Sequence, residues 1–240
     1  MTGRLNKKTI IVTGAGSGLG RASAVKLAEE DAQVFCVDVN PETVKETSDI
    51  ITSRGGTASH YQADMCSETE IIAMVAEAEK TYNGIDGLLA NAGIAGTGAA
   101  HETSLEDWDR LIKVSLTGKW LCAKHVIPHF ISKKSGNIVF QSSICALNGF
   151  PKLVAYTAAK GAIAAITRQM ASDYGEYNIR INAIAPGTIE TELVRETYKQ
   201  RLDKAKSDIT VDESLSQTAS RYPLRRLGQE LDVSNTVSYT

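Results

Sequence analysis

The feature that most constrains this sequence is a glycine-rich loop between an apolar strand and a helical segment. Residues 9–14 read TIIVTG, and the loop continues through Ala15, Gly16, Ser17, Gly18 and Leu19 to Gly20. A helical stretch at 21–30 and a second strand at 33–37 follow, and that strand ends on Asp38. This order is typical of a dinucleotide-binding unit, because glycines let the backbone approach a pyrophosphate at a helix N-terminus.

Asp38 predicts which dinucleotide binds. Its carboxylate would accept hydrogen bonds from the adenosine ribose hydroxyls and would repel a phosphate on that ribose. No Lys or Arg occupies positions 17, 39 or 40, and the nearest basic residue, Arg21, already lies on the predicted helix. The sequence therefore favours NAD over NADP. The loop residues expected at the cofactor are Gly14, Ser17, Gly18, Leu19 and Gly20.

The composition indicates one α/β domain over residues 1–240. With 26 basic and 28 acidic residues, the chain has no charge excess that would attract nucleic acid or an anionic membrane. It begins without an apolar signal core and holds no apolar run of membrane-spanning length. Cysteines 36, 66, 122 and 145 show neither a CxxC pair nor zinc-ligand spacing, which indicates reduced thiols and a cytoplasmic protein.

Strand and helix signals alternate along the rest of the chain. This alternation predicts a Rossmann-type, doubly wound parallel sheet with helices on both faces. Residues 188–227 hold a polar stretch of helical composition and are expected to cover the substrate as a flap. The further predicted strands are 57–63, 87–90, 136–141 and 179–184, and the further predicted helices are 41–54, 67–82, 104–132, 153–174 and 230–237.

The segment YTAAK at 156–160 carries the strongest signal for chemistry. Tyr156 and Lys160 are four residues apart, so a helix places the phenol and the ammonium on one face. A phenol with a pKa of about 10 is a poor base near neutrality, and a neighbouring cation stabilises its phenolate. Tyr and Lys at this spacing are common in helices, so the pair alone is weak evidence. It gains weight here because Ser142 and Ser143 lie just before this helix, after the fifth predicted strand.

In the order of its motifs, the sequence resembles the classical short-chain dehydrogenase/reductase family. The resemblance covers almost the whole chain, and the motifs are jointly specific. The matching pieces are TGAGSGLG at 13–20, Asp64 after the third strand, NAG at 91–93, Ser143 placed 13 residues before Tyr156, YTAAK at 156–160, and Pro186-Gly187 followed by Thr191.

The resemblance implies a role for each matching residue. Tyr156 would transfer a proton, as base in oxidation or acid in reduction, and Ser143 would hydrogen-bond the substrate oxygen. Lys160 would bind the nicotinamide ribose and keep Tyr156 ionisable. Tyr156 and Lys160 also count among the cofactor residues. The others that the resemblance implies are Asp64, Met65, Asn91, Gly93, Pro186, Gly187, Ile189 and Thr191.

The chain departs from the family pattern at two places. Ser115 stands where the family usually has an Asn that helps hold a water linking the lysine to solvent. Ser115 can still donate and accept one hydrogen bond, so we count it as catalytic and expect a modified relay. Family members also continue beyond the 230–237 helix into another strand, so we expect the usual last strand to be absent from this sheet. A homodimer or homotetramer is expected, with the choice between them open.

The leading hypothesis is an NAD-dependent oxidoreductase that interconverts a secondary alcohol and a ketone. Cys145, two residues after Ser143, is expected to border the substrate. An NADPH-linked 3-oxoacyl-type reductase and a catalytically weak NAD(H)-binding sensor or scaffold are the alternatives. No metal is expected, since His125 and His129 lack an evident third ligand. The expected apolar pocket residues are Ile94, Ala146, Leu147, Phe150, Leu153 and Leu193.

Overall fold

The computed structural model describes residues 3–240, and a parallel β-sheet forms its centre. The strands found in these residues are β1 Thr9–Thr13, β2 Gln33–Asp38, β3 Thr57–Gln62, β4 Gly87–Ala90, β5 Gly136–Gln141 and β6 Ile179–Ile184. They pair in the order β3-β2-β1-β4-β5-β6, with β3 and β6 at the two edges. The strand order changes direction between β1 and β4, which confirms the predicted doubly wound α/β class.

Helices connect the strands and cover both faces of the sheet. Proline begins α2 behind an Asn40 cap that accepts from two backbone amides, and Ser67 caps α3 in a similar way. The helices within residues 3–240 are α1 Gly18–Glu29, α2 Pro41–Ser53, α3 Glu68–Tyr82, α4 Leu105–Ile112, α5 Gly118–Lys133, α6 Val154–Tyr174, α7 Glu192–Ala205, α8 Val211–Ala219 and α9 Glu230–Tyr239.

The sheet separates two apolar layers. In β1, Ile11 packs into the layer formed with α3, α5 and α6, whereas Ile10 and Val12 face the layer formed with α1 and α9. All five residues of β1 are buried, as expected for a central strand that is covered on both faces. The core therefore fixes the register of the strands, and with it the positions of the loops at their carboxyl ends.

The strand register brings those loops together. Thr13 pairs with Val37 at the ends of β1 and β2, Ala90 pairs with Phe140, and Gln141 pairs with Ile184. The residues that follow these strand ends lie along one edge of the sheet. In doubly wound sheets, this edge is where ligands bind.

The predicted helix over 104–132 is in fact two helices joined by a π turn. The chain forms α4, then the wider turn Lys113–Thr117, then α5. Ser115 in this turn is fully buried, and its hydroxyl accepts a hydrogen bond from the Ile94 amide at 3.1 Å and donates to the Ile94 carbonyl at 3.4 Å. A tertiary contact thus accompanies the inserted turn, and helical periodicity in the sequence does not report it.

Candidate active site

A cavity of about 330 Å³ opens at the carboxyl edge of the sheet. Its wall combines the glycine loop, the ends of β2, β4 and β5, the start of α6, and the segment after β6. The predicted site residues that line it are Gly14, Ser17, Gly18, Leu19, Asp38, Asn91, Gly93, Ser143, Tyr156, Lys160, Pro186, Gly187, Ile189 and Thr191. Most of the residues that the sequence singled out therefore share one cleft.

Two glycines of the loop adopt backbone conformations that side chains disfavour. Gly14 has φ +66° and Gly18 has φ +50°. A Cβ on Gly20 would overlap the Gly14 carbonyl oxygen, so the loop and α1 touch backbone to backbone. Gly20 therefore permits close helix packing, and it does not line the cavity.

The first turn of α1 lacks a side-chain cap. Ser17 occupies the N-cap position, but its hydroxyl makes no capping hydrogen bond, and the first turn carries no acidic residue. Free backbone N–H groups at a helix N-terminus attract anions. Together with the open loop, this geometry fits the pyrophosphate of a dinucleotide.

The Asp38 carboxylate is fixed at the end of β2. Its Oδ2 accepts from the Gly16 amide at 2.9 Å, and its Oδ1 accepts from the Asn40 amide at 3.0 Å. A Cβ on Gly16 would lie 2.9 Å from the Asp38 carboxyl carbon, so a side chain at this position would displace the carboxylate. The acid therefore faces the cavity in a defined orientation.

Arg21 holds the glycine loop from outside, a role that the sequence reading missed. Its Nη2 donates to the Gly16 carbonyl and to Glu46, each at 2.6 Å, and its Nε donates to the Thr47 hydroxyl at 3.1 Å. The guanidinium is thus engaged with the protein itself. The glycine motif predicts that Arg21 lies on the helix that follows it. The partners of Arg21 on α2 are far away in the sequence, so they could be found only from the folded structure.

Asn91 joins β4 to the glycine loop. Its side-chain Nδ2 donates to the carbonyls of Thr13 at 3.1 Å and Gly14 at 3.2 Å. The Thr13 hydroxyl in return accepts from the backbone amides of Asn91 and Ala92. These bonds hold the start of the glycine loop against the neighbouring strand end.

Tyr156 and Lys160 lie on the first turns of α6, beside Ser143. The Lys160 Nζ is 5.3 Å from the centre of the Tyr156 ring and donates to the Gln141 carbonyl at 3.0 Å. The Ser143 hydroxyl accepts from the Cys145 amide at 3.2 Å, and Ser142 donates to the Lys160 carbonyl. Phenol, ammonium and hydroxyl therefore meet at one wall of the cavity.

Burial shifts the pKa values of both Tyr156 and Lys160. It raises the pKa of Tyr156 to about 12, although a hydrogen bond with Ser143 acts in the opposite direction. Burial also lowers the pKa of Lys160 to about 8. In the protein alone, the phenol is therefore protonated across the neutral range, which suits a proton donor.

Some predicted site residues lie away from the cavity lining. Besides Gly20, these are Asp64, Met65, Ser115 and Cys145. Asp64 is exposed and accepts from the Cys66 amide, whereas Met65 is buried against Gly118 of α5. Of the expected apolar pocket residues, Ile94 and Leu193 line the cavity. Leu147 and Phe150 do not, and they are 73% and 41% exposed.

Other cavity residues escaped the sequence reading. They are Ala92, Gln141, Ser142, Glu192 and Val194. Gln141 ends β5 beside the serine pair, so strand-end position was an available signal for it. Glu192 and Val194 open α7, whose placement over the cavity depends on the tertiary path after β6.

The two histidines on α5 contact carboxylates. His125 lies 2.9 Å from Glu68, and His129 lies 2.8 Å from Glu79. Within residues 3–240, no group of three or more His, Cys, Asp or Glu side chains has a metal-binding arrangement. Over the same range, no helix is both long and apolar enough to cross a bilayer.

The chain belongs to the short-chain dehydrogenase family, whose model matches residues 8–202. A relative from Xanthobacter autotrophicus, 2-(S)-hydroxypropyl-CoM dehydrogenase 3, is 33% identical over 239 residues, covering 100% of this chain and 91% of that protein. The crystal structure of levodione reductase has a TM-score of 0.93 at 31% identity, covering 98% of this chain and 91% of its own. That of NAD⁺-bound xylitol dehydrogenase has a TM-score of 0.91 at 30% identity, covering 98% and 92%.

Membership of this family establishes the general activity. The chain is an oxidoreductase that uses a nicotinamide cofactor and acts on a small molecule, with alcohol dehydrogenases among its relatives. The glycine cradle, the uncapped α1 terminus and the Asp38 carboxylate fit a dinucleotide on chemical grounds.

Proposed function

We propose that this protein is an NAD-dependent dehydrogenase that interconverts a secondary alcohol and its ketone. The observation that carries the cofactor preference is the fixed Asp38 carboxylate at the cavity wall, with the nearby Arg21 already bonded to Gly16 and Glu46. A ribose phosphate would meet an anion there and find no free guanidinium. The similar xylitol dehydrogenase has NAD⁺ bound, which supports the same choice.

Three residues of the cavity wall would have separate roles in proton transfer and binding. The Tyr156 phenol oxygen would give a proton to the ketone oxygen in reduction and remove it from the alcohol in oxidation. Ser143 would hold that oxygen by a hydrogen bond, and Lys160 would bind the nicotinamide ribose. A bound nicotinamide supplies the hydride acceptor or donor. Because burial raises the pKa of Tyr156 to about 12, oxidation requires the cationic surroundings of the loaded site to stabilise the phenolate.

The Ser115 turn lies behind these residues. A π turn leaves the regular helical hydrogen-bond ladder, so its carbonyl groups are available to other partners. Ser115 anchors this turn to Ile94. We propose that it supports the proton relay from Lys160 in place of the Asn that the family usually has.

The segment 188–227, here called the cover segment, would close over the substrate. Its residues Glu192, Leu193 and Val194 reach the cavity. The Lys204 side chain donates to Thr97 in the loop after β4, at 3.3 Å to the hydroxyl, which supports a position of the segment over this loop. Ile94 and Leu193 give the cavity apolar surface, which favours a largely uncharged alcohol.

The outer face of α5 and α6 supports the expected homodimer or homotetramer. Trp120 there is 44% exposed and shares a shallow groove with Ile166 and Tyr174. An exposed aromatic patch of this kind is suited to a second copy of the chain. The cysteines of the described chain are unpaired, in keeping with the proposed cytoplasmic location.

The decisive experiment compares both cofactors and then tests turnover. Fluorescence titration with NADH and NADPH should give tighter binding of NADH by at least about tenfold, because Asp38 would oppose the extra phosphate. A panel of cyclic, aromatic and aliphatic secondary alcohols with NAD⁺ should then yield NADH absorbance with at least one member.

Each alternative has its own outcome. Preference for NADPH together with reduction of a 3-oxoacyl thioester would establish the reductase and overturn the reading of Asp38. Tight NADH binding without turnover of any alcohol or ketone would instead favour the sensor or scaffold.

A further inference from the structure

A second lysine lies buried behind the active site, on α5. Lys119 is only 1% exposed, among the largest fully buried side chains of the described residues. Lysine is almost never found fully buried unless its amine is paired. Lys119 lies outside the family motifs at 13–20, 91–93 and 156–160.

The Lys119 amine binds the end of β4. Its Nζ donates to the carbonyl of Ala90 at 2.6 Å and to that of Asn91 at 2.9 Å. Ala90 is the last residue of β4, where a parallel ladder ends and carbonyl groups lose their strand partners. The two bonds therefore satisfy buried acceptors that otherwise carry a substantial free-energy penalty.

These carbonyls belong to the segment that grips the glycine loop. Asn91 donates from its side chain to Thr13 and Gly14, and its backbone amide donates to the Thr13 hydroxyl. A continuous path of hydrogen bonds thus runs from Lys119 through Asn91 to Gly14. Gly14 and Asn91 both line the cavity, whereas Lys119 does not.

The surroundings of Lys119 favour its uncharged form. Burial lowers the pKa of Lys119 well below its ordinary value, the positive charge of Lys160 lowers it further, and Cys122 acts weakly in the opposite direction. A neutral amine has two N–H donors, which matches the two carbonyl acceptors. Neutralisation also avoids the cost of two buried ammonium groups near each other.

We propose that Lys119 is a positioning residue for the cofactor: its amine fixes the end of β4, so that Asn91 holds the glycine loop in the geometry that binds the dinucleotide. The proposal rests on nicotinamide-cofactor binding at this site, which family membership gives, and not on the preference for NAD. Lys119 acts as a pair of N–H donors, and its charge is not required.

Three variants test this role in the intact protein. Lys119→Met keeps the length and removes the donors, so the dissociation constant of NADH should rise about tenfold. Lys119→Gln supplies a neutral amide with two N–H donors and should recover most of that loss. Lys124→Met is the matched control, since Lys124 is exposed on the same helix and pairs with Glu68; it should bind NADH like the wild type.

A double-mutant cycle tests whether the effect passes through Asn91. In the Asn91→Ala background, Lys119→Met should change NADH affinity much less than it does in the wild type, because the side-chain bonds from Asn91 to Thr13 and Gly14 are already removed. Additive losses would overturn the proposal. Should Lys119→Met fail to fold, Lys119→Ala, which also removes the donors, gives the same test of coupling with and without Asn91→Ala.

Two further results bear on the proposal separately from the proposed function. Wild-type NADH affinity in a folded Lys119→Met protein with lowered thermal stability would overturn the positioning role, since Lys119 would then serve packing alone. A wild-type protein that prefers NADPH would contradict the proposed NAD preference. The Lys119 variants would then be compared for NADPH affinity, and the same differences between them would test the positioning role.

Discussion

The glycine-loop side and the cover segment are built in opposite ways. Around the glycine loop, β1 is wholly buried, Gly20 touches the Gly14 backbone, and Asp38 binds the Gly16 amide. In the cover segment, by contrast, α7 has no buried residue over its described range of Glu192–Ala205, and Leu215 is the buried residue of α8. The glycine-loop side of the cavity therefore belongs to the core, whereas α7 lies on the surface.

From this difference we infer that cofactor specificity and substrate specificity depend on different parts of the protein. The cofactor side gains its geometry from packed backbone, so it changes only when the core changes. The two hydrogen bonds between Tyr222 and Thr188 join the two ends of the cover segment, whose helices bury little, and segments with few buried contacts open at low free-energy cost. We therefore expect cofactor affinity and substrate affinity to respond to different mutations.

The largest expected effect is on kcat, at a residue that belongs neither to the glycine loop nor to the cover segment. Tyr156→Phe removes the proton-transferring oxygen and keeps the ring, so kcat should fall by about 10³-fold or more. NADH affinity should stay within about twofold, because the glycine-loop side is untouched. Steady-state kinetics and NADH titration of one preparation provide the check, and an active variant would remove Tyr156 from the mechanism.

Gly20→Ala tests the packed side directly. Its Cβ would overlap the Gly14 oxygen, so α1 and the loop must separate. The free energy of unfolding should fall by ~3 kcal/mol or more, as for other severe overpacking. Denaturant unfolding measures it, with Gly175→Ala as control, since a Cβ there meets no atom within 4 Å. Equal stabilities for the two variants would contradict the tight packing of α1 against the glycine loop.

Asp38→Ala tests cofactor preference on the same side. Loss of the carboxylate removes the ribose acceptor and the repulsion of a ribose phosphate, so the NADH-to-NADPH affinity ratio should fall about 10- to 100-fold. Asp49→Ala is the control, because Asp49 pairs with Lys45 on the outer surface of α2. An unchanged ratio in Asp38→Ala would show that another group selects the cofactor.

Tyr222→Phe tests the cover segment with a smaller change. The hydroxyl accepts from the Thr188 amide at 2.8 Å and donates to the Thr188 hydroxyl at 3.0 Å. Its loss should raise the substrate KM about threefold and cost ~1 kcal/mol or less of stability. Tyr239→Phe, at a residue 82% exposed, is the control. A large loss of NADH affinity would show that cover and cofactor side are not separate.

Ser115→Asn is expected to have the smallest effect. An amide can both accept from the Ile94 amide and donate to its carbonyl, as the Ser115 hydroxyl does, so activity should stay within about twofold or rise. Ser115→Ala, which loses both bonds, provides the comparison. A severe loss in the Asn variant would give Ser115 a role beyond these contacts.

The sequence predicted the elements that depend on local pattern. The strand at 179–184 and the helix end at Tyr174 match the structure, and the α/β order follows from alternation. The glycine loop and the Tyr156–Lys160 pair were visible because their chemistry needs fixed spacings. The structure places them in one cleft, as strand-end position had suggested.

The remaining features depend on contacts between distant segments. The π turn at Lys113–Thr117 coincides with Ser115 bonding to Ile94, and neither periodicity nor propensity reports that contact. In the sequence, Arg21 and Lys119 look like ordinary basic residues of a helix. Their partners lie on α2 and at the end of β4, so only the packed chain shows what they bind.

The cysteines carry a practical consequence for following the protein in solution. Cys36, Cys122 and Cys145 are buried, and burial raises the pKa of Cys36 and of Cys122 to about 12; burial and Asp64 also raise the pKa of Cys66, but Cys66 is the partly accessible thiol. A maleimide fluorophore applied to the native protein should therefore attach at Cys66. Paired with a second dye on the cover segment, it would report opening and closing by energy transfer without removal of any native thiol.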